Sequence, residues 1–203
     1  MATTGGASAM TQARPVEGIK QRHGVFTEPP FARWLFSDTR SAWIWLVLRV
    51  WLGWQWLEAG LQKIGNPAWT GDKAGAAVAG FLKGALAKTT GEHPDVPGWY
   101  AWFIDRVALP NAPLFGHLVA YGEVLIGTAL ILGLFTGIAA FAGSFMNANF
   151  LFAGTVSSNP VMFIVATWIV LAWRVAGWYG LDRWALPALG TPWQPGAVFE
   201  RKH

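Results

Sequence analysis

Cysteine is absent from the 203 residues, which excludes disulfides, thiolate metal sites and thiol redox chemistry carried by this chain. Charge is scarce. Asp, Glu, Lys and Arg make up 13% of the residues, where soluble domains run at about a quarter. Histidine is rare too: only His117 lies in or near an apolar run, so facing His pairs that would hold haem are not available. The sequence has no HExxH motif and no His-rich set for a metal, no Walker-type loop and no dinucleotide fingerprint. No aromatic-and-basic ladder of the kind that binds single-stranded nucleic acid is present either. Before residue 41 there is no apolar core of a signal peptide, so residues 1–40 are expected to form a polar arm.

What the chain does have is apolar surface. Hydrophobic residues make up 53% of it and tryptophan alone occurs 14 times, so a membrane is the expected solvent. Four apolar runs, 41–64, 114–134, 137–155 and 161–180, approach the roughly 20 residues needed to span. The links LGLFTG and TVSSNP are short, which makes neighbouring helices antiparallel. The expected fold is therefore all-α: a four-helix transmembrane bundle over 41–182. The 65–113 connection contains two amphipathic stretches, GDKAGAAVAGFLKGALAKTT and GWYAWFIDRVAL. Their Trp and Tyr content suits the headgroup level, so this connection is expected to cap the bundle; a flexible tether is the alternative.

Lys and Arg counts orient the chain. Arg14, Lys20, Arg22, Arg33 and Arg40 lie in the arm, and Arg183, Arg201 and Lys202 in the tail 183–203. They outnumber Lys73, Lys83, Lys88 and Arg106 of the cap. The expectation is a multi-pass protein of the cell membrane with both termini cytoplasmic and the cap outside. The net charge of +4 then means contact with anionic lipid.

Within the apolar runs stand Arg49, Glu58, Glu123 and Arg174, each costing about 2.5–3.5 kcal/mol if centrally placed and unpaired. Gln55, Glu58 and Gln62 share one face of the first helix, with Arg49 nearly opposite. Glu123 interrupts a stripe of small residues, Gly116, Ala120 and Gly127, and so is expected to face the bundle interior. Asn147 lies on a comparable stripe, while Asn149 points elsewhere. Glu58, Glu123 and Asn147 fall ~9, ~13 and ~12 Å below the cap side of their helices. One reading has these groups satisfying one another, Glu123 with Asn147 or Gln55, and Arg174 with Asp182 or lipid headgroups. The other reading is a polar pocket that exchanges protons or binds a polar ligand head. Arg49 and Arg174 are expected to be structural and to snorkel toward the cytoplasmic face. His117 is either an interfacial side chain or part of the pocket, and Lys63 is expected to snorkel rather than bind substrate. Trp56 belongs to an aromatic cluster suited to packing or to a flat ring.

The stretches RVWLGWQWLEAGLQKIGNPAW, YGEVLIGTALILGLFTGIAAFAG, NANFLFAGTVSSNP and AWRVAGWYGLDRW, in this order and spacing, resemble the DoxX/DoxD family of four-helix membrane proteins. Some DoxD members form thiosulfate:quinone oxidoreductase with a second, smaller subunit, and other relatives resemble accessory subunits of membrane redox assemblies. The resemblance implies a quinone as substrate or bound ligand, with no metal or haem, and a partner subunit or larger complex. On that reading Glu58 and Glu123 are the candidate proton-handling pair. Gln55, Trp56, His117 and Asn147 are candidate quinone contacts, and Lys63 and Arg106 are the nearest cations for the thiosulfate anion. The alternative is a non-catalytic accessory subunit. A transporter is disfavoured, since inverted repeats and broken helices are missing from the pattern.

Overall fold

The computed structural model describes residues 28–191 and 194–199; Arg14, Lys20, Arg22, Arg201 and Lys202 lie outside them. A short helix α1 (Pro30–Ser37) leads into α2 (Ala42–Ile64). The corner between them is set by polar side chains. Asp38 accepts the Arg40 backbone N–H at 2.9 Å, and the Ser41 hydroxyl donates to the Leu35 and Asp38 carbonyls. Next come α3 (Pro67–Thr70), α4 (Ala76–Leu86) and α5 (Gly98–Phe103), the last continuing into a π turn over Ile104–Ala108. The chain then forms α6 (Ala112–Leu132), α7 (Thr136–Phe152), α8 (Asn159–Leu171), α9 (Trp173–Ala176) and α10 (Asp182–Leu189). A minimal antiparallel pair, β1 (Gly190–Thr191) with β2 (Gln194–Pro195), follows.

Helix starts and stops follow local chemistry. Pro67, Pro113 and Pro160 occupy first-turn positions, where a missing N–H costs nothing. Helix α6 ends on Gly133 at φ 64°, the left-handed stop that glycine adopts without strain. The fourth expected span, 161–180, is interrupted: α8 closes at Leu171, and Ala172 (φ −94°, ψ 15°) separates it from α9.

Helix α2 packs on α6 and α8, and α7 packs on α6 and α8, so these four helices close a ring. The tightest pairing is α2 with α6. A Cβ added to Gly127 would lie 2.5 Å from the Leu57 backbone nitrogen, and one on Gly60 2.7 Å from Val124 N. Small residues here let the two backbones touch. Gly127→Val is expected to force them apart, costing about 1–3 kcal/mol. Gly80, on α4, has open space around it. Unfolding in detergent should show a clear loss for Gly127→Val and none for Gly80→Ala.

The distribution of polarity is inverted relative to a soluble bundle. Arg49, Glu123, Asn147 and Asp182 are buried, together with many Ala and Gly, while Leu125 (69% exposed), Ile138 (71%), Trp54, Phe141 and Phe145 face outward. Such an apolar exterior around a polar interior fits lipid as the surrounding medium. Among the described residues, α6 is the one helix both long and apolar enough to cross a membrane. Helix α2 has the length, with 23 residues, but carries Arg49, Glu58 and Lys63; α7 and α8 have 17 and 13 residues.

Residues 65–113 are largely helical rather than a loose tether. Val78, Leu82, Val96, Tyr100 and Ile104 form a second apolar core, closed by Ala112 of α6 and Ala153 beyond α7. The Tyr100 hydroxyl donates to Asn149 Oδ1 at 3.1 Å, joining α5 to α7. Burial pushes this phenol up to about 12, so it remains a protonated donor throughout the neutral range.

Candidate functional site

The interior charged groups form two separate clusters, one at each end of the α2–α6 pair. Toward the 65–113 connection, Lys63 Nζ donates to Glu123 Oε2 at 2.7 Å, with the two side chains 20% and 2% exposed. Glu123 is thus turned inward as its small-residue stripe requires, but its partner is Lys63, not Asn147 or Gln55. The reason is geometric. Helical side chains lean toward the N-terminus, so Lys63 reaches back along α2 to the level of Gly60, where α2 meets Ala120 and Val124. The Lys63 ammonium also lies 5.2 Å from the centre of the Trp69 ring, which covers the pair from α3.

This ion pair borders a cavity of about 430 Å³. Its apolar walls are Trp56, Trp69, Phe81, Phe150 and Met162; its polar edge comprises Gln55, Glu58 and Gln62 of α2 and Ser157, Ser158 and Asn159 at the start of α8. The Trp56 indole Nε1 is buried and has no hydrogen-bond partner among the described residues. That N–H faces Gly143 of α7, 3.1 Å from where a Cβ there would stand, so it points into the helix packing rather than into the cavity. A flat apolar ring carrying carbonyl oxygens fits this combination of aromatic walls, a polar edge and a nearby ion pair.

The sequence-selected residues divide accordingly. Gln55, Trp56, Glu58, Lys63 and Glu123 come together at this cavity. Glu58, however, is an exposed rim residue. The buried line of α2 runs Trp45, Arg49, Leu52, Trp56, Gly60, and a residue two places from both Trp56 and Gly60 falls on roughly the opposite side. Asn147 is buried with both amide atoms lacking a partner among the described residues, but it does not line the cavity. His117 is half-buried, with Nδ1 2.7 Å from the Pro113 carbonyl and its ring stacked on exposed Tyr121. Arg106 is exposed and sits 3.5 Å from Asp105, away from the cavity. The residues that sequence reasoning missed are Trp69, Phe81, Phe150 and Met162. They come from four helices besides α2 and α6, and no short-range pattern joins them.

The second cluster is structural. Arg49 does not snorkel: it is 1% exposed and donates to the carbonyls of Leu130, Ile131 (3.0 Å) and Tyr179 (3.2 Å). Asp182 accepts the backbone N–H groups of Phe135 at 2.6 Å and Thr136 at 2.8 Å. The cation therefore occupies carbonyls at the C-terminal end of α6 and the anion occupies N–H groups at the N-terminal end of α7, each matching the local helix dipole. The two side chains also interact electrostatically with each other. Arg174, expected to pair with Asp182 or with lipid headgroups, lies over the Trp173 ring at 5.1 Å and makes no ion pair with Asp182 among the described residues.

A helical ring with an apolar exterior and a polar, cavity-bordering ion pair inside defines a membrane protein with an internal polar site. A family model, DoxX, matches residues 44–155, which is more than half of the chain, and the protein belongs to the DoxX family. Comparison with curated proteins and with solved structures yields no match.

Proposed function

We propose that the chain is the membrane subunit of a quinone-linked oxidoreductase, and that the cavity between α2, α6 and α8 receives the quinone ring. The observation that carries this reading is the Lys63–Glu123 pair beside an aromatic-walled cavity with a polar edge of Gln55, Glu58 and Gln62. Quinone reduction supplies a two-electron, two-proton acceptor. The chain's own tasks are to exclude water from the ring, hold its carbonyls and pass protons. Gln55 of the polar edge donates to a carbonyl oxygen. The Lys63–Glu123 pair holds protons at the cavity edge, and Glu58 at the rim exchanges them with water. In this reading α2, α6, α7 and α8 with α9 all cross the cell membrane, the termini are cytoplasmic and the cap is outside.

Thiosulfate is the best-supported donor class, by the family's DoxD branch. Lys63 is engaged by Glu123 and Arg106 lies beside Asp105, so capture of the anion falls to a partner subunit. The accessory-subunit reading has one observation in its favour: an ion pair that neutralises Glu123 also serves a purely structural role.

Thiosulfate-dependent quinone reduction in purified membranes separates the two. Glu123→Gln is expected to lower turnover by about 100-fold or more, the usual contribution of a positioned acid or base. Gln55→Leu keeps the volume and loses the donor, so KM for quinone should rise. Unchanged rates in both variants would remove the site, and absence of turnover despite co-purification with a redox complex would favour the accessory role.

A further inference from the structure

A second cavity, of about 510 Å³, opens at the opposite end of the molecule, among α1, α9, α10 and the β pair. Its wall carries two arginines, Arg174 and Arg183, both exposed. Each guanidinium is stacked on a tryptophan of the same wall, Arg174 on Trp173 and Arg183 on Trp178, both at 5.1 Å. Among the described residues neither arginine has a carboxylate partner. The one acid on the wall, Asp182, is 2% exposed and committed to the Phe135 and Thr136 N–H groups. Among the described residues the cavity is thus electropositive, with its guanidinium groups held in place and no carboxylate on their N–H edges.

Its depth relative to the membrane follows from backbone contacts. Leu181 N donates to Leu132 O at 3.1 Å and Asp182 N to Gly133 O at 2.8 Å. These acceptors lie at the very end of α6, the helix fit to cross a membrane. The cavity therefore lies at the level of the membrane surface. Exposed Tyr179 and Trp184 stand beside it, the residue types that settle at the headgroup layer, and exposed Leu181 and Leu189 offer apolar surface to chains running from the same point.

We propose that this cavity binds the phosphate of an anionic phospholipid headgroup, held by Arg174 and Arg183. The shared chemistry is a phosphate oxyanion. The interfacial position and the flanking apolar residues favour a lipid over free phosphate. The proposal rests on membrane insertion and is independent of the quinone reading.

The test uses the full chain, stripped of lipid in mild detergent and offered phosphatidylglycerol, phosphatidylcholine or inorganic phosphate, with bound lipid counted by native mass spectrometry. The native chain should prefer phosphatidylglycerol. Arg174→Gln with Arg183→Gln should reduce that preference on the order of 30-fold, as expected for two basic side chains at an anionic surface. Arg106→Gln, on the far end, should leave it unchanged. If the glutamine pair fails to fold, the charge-retaining Arg174→Lys with Arg183→Lys decides: loss of the guanidinium forks should still weaken retention severalfold. An unaltered preference in a folded glutamine pair, or in the lysine pair when that is the deciding variant, would overturn the site. Displacement of the lipid by equimolar inorganic phosphate would overturn the lipid as its occupant.

Discussion

Arg49→Met is expected to cost ~5 kcal/mol of stability, as it removes three hydrogen bonds from a charged donor at about 1.5 kcal/mol or more each. The guanidinium is 1% exposed and serves three carbonyls, on Leu130, Ile131 and Tyr179. Methionine matches its length and apolar stem but donates nothing. It would leave those acceptors without their donor and the Asp182 charge without its cation. Lysine restores the charge without the fork, so Arg49→Lys should recover only part of the loss. Asp182→Asn is a complementary probe. Its amide can accept one of the two N–H groups from Phe135 and Thr136, but its own NH₂ opposes the other. Equilibrium unfolding in detergent micelles reads all three, and a loss below about 1 kcal/mol for Arg49→Met would show that its tie from α2 to the end of α6 and to Tyr179 is not a structural anchor.

Lys63→Met is expected to destabilise by ~3 kcal/mol, because it strands the Glu123 carboxylate in the interior. The lower figure reflects Lys63, which keeps some contact with solvent. Replacing both partners, Lys63→Met with Glu123→Leu, should bring stability back to the native value or above it, since an apolar pair of similar volume avoids the desolvation of two ions. The double variant therefore separates stability from function. If the pair handles protons, a chain of native stability will lack quinone turnover; if the pair is purely structural, activity in the parent complex will survive.

The helices were legible because the solvent is. A chain with 13% charge and 14 tryptophans has few ways to hide its apolar surface from water, and the stripe Gly116, Ala120, Gly127 marks which side of α6 receives a neighbour. Helix boundaries agree with the apolar runs for α2 and α6, but the fourth run breaks at Ala172. No glycine or proline marks that break, so composition gave no signal.

Partner choice among polar side chains was the part that sequence spacing did not reveal. Periodicity placed Glu123 inside but did not select Lys63 over Asn147 or Gln55. That depended on the register at which Gly53 and Gly60 meet α6 and on the backward lean of the lysine. The same holds for Arg49, whose ligands lie more than 80 residues away in sequence. The sequence by itself determined the medium, the helical class and the inward faces, because these depend on composition and on a period of 3.6 residues. Only the tertiary structure decided which charges pair and where cavities remain, because those depend on how closely two backbones approach, and glycine contacts set that distance one ångström at a time.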